Sequence, residues 1–409
     1  MQSMHLFSLC TNVFSAGTFR RSVGRRGVAG VSTLTYTRHL LDRCKIRTVR
    51  LCATKKRRRE HLEGVTMSGK IDVHQHLLPP RYFEALAAAG SLMTGSGAQA
   101  VAGGSAQWNP WAESGGTAAR QGPRTVGGWQ MPEWDPQSAI SMMDATGIET
   151  GILSISAPGV HFGDDAAARG LARELNDYQA ELVREHPDRF GHFAVLPLPD
   201  FDGAVAEAVR ALDELHADGV LLLSNAHGRY LGDPAYEPLW TELAARSAVV
   251  FVHPTAPPIQ QLPGMPTALL DFPFDTTRTA VDLVAHGVFD RHPDLRIILS
   301  HAGGFLPYAA DRFSAAAMFN PGTTPESIQA GLRKFYFDTA LSSSPTSLPS
   351  LLAFAEPGHI LYGSDFPYAH PEWTARFDRS LAIYDGPGAE RLGEVSRSAA
   401  ERLFPRLVK

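Results

Sequence analysis

Four short apolar runs in this chain each end on a side chain that binds metals. Ile71–Val73 runs into His74-Gln75-His76, Val249–Val252 into His253, Ile297–Ser300 into His301, and Ile360–Ser364 into Asp365. Runs of this length and composition read as buried β-strands. A fold that uses these residues together must bring one end of four separate strands to a common point. Eight such runs occur: Ile71–Leu77, Thr150–Ser156, Gly191–Leu198, Gly219–Ser224, Ala248–His253, Arg296–His301, Phe335–Thr339 and His359–Ser364. Helical patterns alternate with them, among them Val205, Val209, Leu212 and Leu215 on one stripe. Pro187, Pro293 and Pro357 stop helical stretches. The expected fold is α/β, a distorted (β/α)8 TIM-type barrel with an insertion after strand 1. An open doubly wound sheet explains the alternation equally well, but it would not join the ends of strands one, five, six and eight.

Charge divides the chain in two. Residues 1–66 hold 14 of the 38 Lys and Arg but 3 of the 42 Asp and Glu, so they carry a net charge of +11 and residues 67–409 one of −15. All three cysteines, Cys10, Cys44 and Cys52, are in the basic leader. The leader could be a transit-like segment, a twin-arginine signal or, through Lys55–Arg59, a nucleic-acid or nuclear patch. We read it instead as disordered or not natively translated, with translation starting at Met67 and residues 67–409 forming one cytoplasmic metal-dependent barrel. The acidic remainder argues against nucleic acid as a partner, and no run is apolar over a bilayer's width. Without cysteines, any metal there must be held by imidazole and carboxylate.

His74 and His76 are two apart on a strand and so share a face. With His253 and Asp365 they make a candidate set of four ligands. Neutral imidazole plus carboxylate suits a divalent cation, Zn²⁺ first and Mn²⁺ as the alternative. His301 is either a fifth ligand or the acid/base beside the metal. His161, His227 and His370 follow strands two, four and eight and are candidates to line the pocket. Strand four ends Leu221-Leu222-Leu223-Ser224, and residues 71–408 contain a single lysine, Lys334, so no lysine is placed to bridge two metals. One metal is expected. Residues 79–136 separate the first strand from its helix and carry four of the six tryptophans, Trp108, Trp111, Trp129 and Trp134, in a Gly- and Ser-rich stretch. We expect part of it to lie over the barrel mouth.

The motifs Ile71–His76, Val252-His253-Pro254, Ser300–Gly304 and Tyr362–Pro367 resemble the amidohydrolase superfamily, most closely its aminocarboxymuconate-semialdehyde decarboxylase-like branch with the γ-resorcylate and 6-methylsalicylate decarboxylases. Trp134-Asp135-Pro136 and Asp275–Arg278 resemble that branch as well. The resemblance implies a barrel with one divalent metal that releases CO₂ without oxidation from an aromatic or conjugated acid. It implies His74, His76, His253 and Asp365 as ligands, and His301 and Asp365 as catalytic groups. It further implies a homodimer in which Arg312 binds a substrate carboxylate in the neighbouring subunit's site. The arginine that muconate enzymes carry before the Trp-Asp-Pro segment has no counterpart in place, Arg120 and Arg124 being displaced. That favours a small monocarboxylic phenolic acid such as 6-methylsalicylate. Hydrolysis of an ester, lactone or amide at the same metal is the alternative.

Overall fold

The computed structural model describes residues 69–91, 125–126, 129–260, 262–263 and 265–408. The expectations for the leader, Trp108, Trp111, Arg120 and Arg124 lie outside the described residues. Eight strands form the main sheet, in chain order β1 (Lys70–His76), β2 (Ile148–Ser154), β3 (Phe190–Val195), β4 (Gly219–Leu223), β5 (Val249–His253), β6 (Arg296–Leu299), β7 (Tyr336–Asp338) and β8 (Ile360–Leu361). Each pairs in parallel with the next. Among the described residues the α-helices are α1 (Pro80–Ala88), α2 (Pro136–Thr146), α3 (Asp165–Glu185), α4 (Phe201–Asp213), α5 (Glu237–Ala245), α6 (Thr267–Ala285), α7 (Val288–Arg291), α8 (Leu306–Phe313), α9 (Pro325–Arg333), α10 (Leu348–Phe354), α11 (Pro371–Ile383) and α12 (Ser398–Leu403). This is the expected barrel.

The seam between β8 and β1 decides whether the sheet closes. Val73 N–H donates to Tyr362 O at 3.0 Å, Asp365 N–H to His74 O at 2.9 Å and His76 N–H to Phe366 O at 2.7 Å. The buried Asp72 carboxylate bolts the seam, accepting from His74 N–H and Ser364 N–H, both at 3.0 Å, and from Gln75 Nε2 at 2.8 Å. Burial drives its pKa up to about 6, against the pull of those donors. Each donor stranded in the core without its acceptor would cost about 1–3 kcal/mol. Tight approach is also needed here: a Cβ on Gly363 would sit 3.0 Å from the Cβ of His74.

Two local expectations change. The first helix does not wait for the end of the insertion: α1 starts at Pro80, whose fixed φ suits a first helical position, and buries Tyr82 and Leu86. Trp134-Asp135-Pro136 is the entry to α2. Trp134 is buried, and Asp135 and Ser138 form a capping box. The face of α4 is also different. Ala204, Ala208 and Ala211 are buried, while Val205 and Leu212 flank them part-buried. Small residues let this helix approach closely. They are joined by a buried polar trio in which Glu207 accepts from Asn176 at 2.7 Å and from Arg210 at 3.0 Å, a pattern that apolar periodicity does not reveal.

His192 on β3 is buried, with neither ring nitrogen partnered among the described residues. Burial lowers its pKa to about 4, with Asp218 opposing and Arg406 assisting. The folded state therefore keeps this ring neutral, whereas the unfolded chain protonates it near 6.5. Stability is unaffected above about pH 6.5 and falls as pH drops towards 4, by roughly 3 kcal/mol in total. Urea unfolding of wild type and His192→Phe over this window checks it: the difference between them should shift by that order in the variant's favour. Parallel pH curves would contradict the assignment.

Candidate metal centre

The C-terminal ends of the strands converge on one buried cluster. One ligand atom each from His74, His76, His253 and Asp365 lies within 4.8 Å of every other. His74 and His76 leave β1 on the same face, and their Nε2 atoms are 3.0 Å apart. Asp365 Oδ1 is 3.4 Å from His74 Nε2 and 3.3 Å from His76 Nε2. Four ligands held at about 2.0–2.1 Å around a tetrahedral cation would stand about 3.3 Å from one another. The protein thus sets three of these atoms at metal-ligand spacing.

The outer nitrogens explain which atoms face inward. His74 Nδ1 donates to Asp338 Oδ2 at 2.7 Å. His76 Nδ1 lies 3.3 Å from Ser154 O, and His253 Nδ1 lies 2.8 Å from Pro254 O. An acceptor at each Nδ1 fixes the proton there and turns an Nε2 lone pair inward, the arrangement a metal-bound histidine needs. Burial lowers the pKa of His76, and burial together with His76, His74 and His301 holds His253 well below its ordinary value. Both are therefore neutral ligands. Burial alone would also lower His74, but Asp338 and Asp365 overcome it and raise it to about 10. Burial disfavours the Asp365 anion, yet the charge on His74 and the polar contacts with the His301 and His74 rings keep its carboxyl well below the usual range. A divalent cation taking the place of the second His74 proton satisfies all four groups. The donor set fits such a cation.

Both loops that carry the remaining groups depend on unusual backbone. β6 stops at Leu299, so His301 is not on the strand itself. It opens a tight 3₁₀ turn with φ 54°, and Ala302 follows at 55°. Asp365 lies past the end of β8 with φ 61°. Non-glycine residues in this region are strained and persist where surrounding contacts enforce them. Asp338 Oδ1 enforces the first, accepting His301 N–H at 2.9 Å, and His74 O enforces the second through Asp365 N–H. Gly304 at φ 64° has no alternative, because a Cβ would fall 2.0 Å from Pro273 O. The outcome is a His301 ring beside the cluster, its Nε2 3.4 Å from Asp365 Oδ2 and its centroid 5.0 Å from that of His74.

Asp338 was not among the residues singled out in the sequence, although it ends strand seven. It is wholly buried and holds His74 Nδ1 with one oxygen and the His301 and Ala340 amides with the other. The available signal was a carboxylate closing an apolar strand, the same signal that marked Asp365. Asp275, in a segment singled out by resemblance, is likewise buried and accepts from Asn225 at 2.8 Å, Tyr230 at 2.5 Å and Ser224. It ties α6 to the loop after β4. Arg312 lies on α8, exposed and with no ion pair or hydrogen bond among the described residues, and it is not part of the cluster. His161 and His227 line a cavity among the loops after β2 to β5 and are not part of the cluster, whereas His370 caps α11 through Glu372 N–H.

Removing a ligand and removing its support should differ. His253→Ala should lose the bound cation by metal analysis of purified protein. Asp338→Asn should keep a site with affinity weaker by about 10- to 100-fold, read by competition with a chelator. Equal affinity in Asp338→Asn and wild type would contradict its role.

The sequence profile of the amidohydrolase family (Amidohydro_2) matches residues 71–406. A 6-methylsalicylic acid decarboxylase of Aspergillus aculeatus is 40% identical over 358 residues, which cover 83% of this chain and 96% of the relative. A decarboxylase of Aspergillus niger is 39% identical over 356 residues, 82% of this chain and 88% of that protein. The crystal structure of a 2,6-dihydroxybenzoate decarboxylase from Rhizobium superposes with a TM-score of 0.64 at 26% identity, covering 83% of this chain and 99% of the other. A matching profile over most of its length and relatives this similar place the chain in the amidohydrolase family, on the branch that holds these decarboxylases.

Proposed function

We propose that this protein releases CO₂ without oxidation from a salicylate-type aromatic acid, with 6-methylsalicylate as the reference substrate. The observation that carries the reading is the intact four-ligand cluster with His301 against it, in a chain 40% identical over 358 residues to a 6-methylsalicylic acid decarboxylase. His74, His76, His253 and Asp365 would hold one divalent cation. We infer zinc, with manganese suited by the same donors. Bound there, the cation would supply Lewis-acid stabilisation of negative charge on the substrate's carboxylate or its ortho hydroxyl.

The chain's own groups account for the proton. Loss of CO₂ from an aromatic carbon leaves a carbanion unless a proton reaches that carbon first. His301 is placed to deliver it: its ring borders the cluster, and its Nδ1 has no partner among the described residues. Asp365 is the other candidate, but a carboxylate held far below its usual pKa is a poor proton donor. The strained turn at His301 fixes where the ring stands, so proton transfer needs no search.

Arg312 we assign to substrate carboxylate binding across a homodimer. Its support is its setting. Tyr308, one turn before Arg312 on the same helix, is 85% exposed. An exposed aromatic one turn from a guanidinium without a partner among the described residues fits a surface buried by a second copy. Among the described residues no helix is long and apolar enough to cross a membrane, and we read the site of action as cytoplasmic.

The test is CO₂ release from hydroxybenzoates by metal-loaded protein. His301→Ala should lose about 10²- to 10⁴-fold in kcat while keeping its metal. Chelation should abolish turnover, and Zn²⁺ or Mn²⁺ should restore it. Arg312→Ala mixed with His301→Ala should regain activity if a site borrows its arginine from the partner. Lactone hydrolysis without CO₂ release, or full turnover by His301→Ala, would contradict the reading.

A further inference from the structure

A cavity of about 350 Å³ opens at the same end of the barrel as the metal centre, where the loops leave β2 to β5. Much of its wall is apolar, with Val160 after β2, Val195 and Leu196 at the end of β3, and Leu221 and Leu223 on β4. Register connects it to the cluster. Leu223 is the parallel partner of His253, and Leu221 of Phe251. Such partners present their side chains to the same face, about 4.8 Å apart. The Phe251 ring in turn packs edge-on against His74 with centroids 4.9 Å apart. The apolar wall therefore begins one strand spacing from a metal ligand.

Polar groups on this wall are largely committed elsewhere. Asn225 donates to Ala256 O and to Asp275 and accepts from Gly228 N–H. His161 donates from Nε2 to Asp165 at 2.7 Å and accepts Gly163 N–H at Nδ1. His227, on a positive-φ turn, meets His161 edge-on with centroids 5.1 Å apart. The lining is an apolar slot with an imidazole pair on one wall.

We propose that this cavity is a subsite for an alkyl substituent on the aromatic acid, so that the substrate class includes 6-alkylsalicylates with chains of several carbons. The proposal rests on the decarboxylase reading above and extends it. A methyl group is close in size to a water molecule, whose share of liquid volume is about 30 Å³. A cavity of about 350 Å³ is far larger than one methyl needs. Each methylene buried against such a wall should improve binding roughly threefold or more. A second ring hydroxyl set against the leucine and valine part of this wall would lose its water without a partner there, a penalty of about 5- to 150-fold. The slot thus favours alkyl over hydroxyl at the ring position beside the carboxylate.

The experiment uses metal-loaded full-length protein with 6-methyl-, 6-ethyl- and 6-propylsalicylate and 2,6-dihydroxybenzoate. Decarboxylation converts each alkylsalicylate anion and a proton into CO₂ and the 3-alkylphenol, so calorimetric Kd values for the three phenols report the slot apart from turnover. Both kcat/KM and phenol affinity should rise along the series. Leu223→Trp and Leu196→Phe, which fill the slot from two strands, should each cut the propyl-to-methyl ratio at least tenfold. Turnover of the methyl acid with rejection of the propyl acid and propylphenol would overturn the proposal. So would an unchanged ratio in both variants. Rising phenol affinity without CO₂ release from any salicylate would support the slot and overturn the decarboxylase reading instead.

Discussion

Inward-facing lone pairs on buried imidazoles repel one another, and this structure holds them together. His74 and His76 nitrogens 3.0 Å apart, with His253 and the Asp365 carboxylate within 4.8 Å, are sustained by what stands behind them. A buried acceptor at each outer nitrogen commits the ring proton outward, so a positive charge at the centre is the remaining way to satisfy the inner atoms. The positive charge that Asp338 and Asp365 hold on the His74 ring shows where that charge belongs. A cation of +2 completes it at lower cost, because all four groups are deprotonated together.

This demand reaches into the fold. β1 supplies two ligands and also one side of the barrel seam, so closure and ligand placement are one event. Asp72 sits at that seam, its carboxylate joining the His74 and Ser364 amides. Asp338 works from the adjoining strand, orienting a ligand ring with one oxygen and the His301 turn with the other. A single carboxylate therefore couples the metal centre to the group we assign as proton donor. Strain at His301 and Asp365 is tolerated because these bonds, together with the close contact at Gly304, leave the backbone no other path.

The strands and the ligands were legible in the sequence because each signal was local. An apolar run ending in histidine or aspartate states both its burial and its purpose, and parallel strands give every such end the same side of the barrel. Support was harder to read. Asp338 ends an apolar strand as Asp365 does, but it and Asp72 act through partners on distant segments, the His74 ring and the His301 and Ser364 amides, which no spacing in the chain announces. On α4 the alanine face and the Glu207–Arg210 pair were masked by a valine and leucine stripe that the fold leaves part-buried. α1 was hidden inside a stretch whose composition reads as loop, although Pro80 opens it with a first-turn residue. The substituent slot arises from register between β4 and β5, which only the folded sheet sets.

The most direct test is the metal content of purified protein measured together with CO₂ release from 6-methylsalicylate, as the cation is removed and returned. One equivalent per chain, with activity tracking occupancy in both directions, is the result this account predicts. Undiminished CO₂ release from protein stripped below a few hundredths of an equivalent would contradict it.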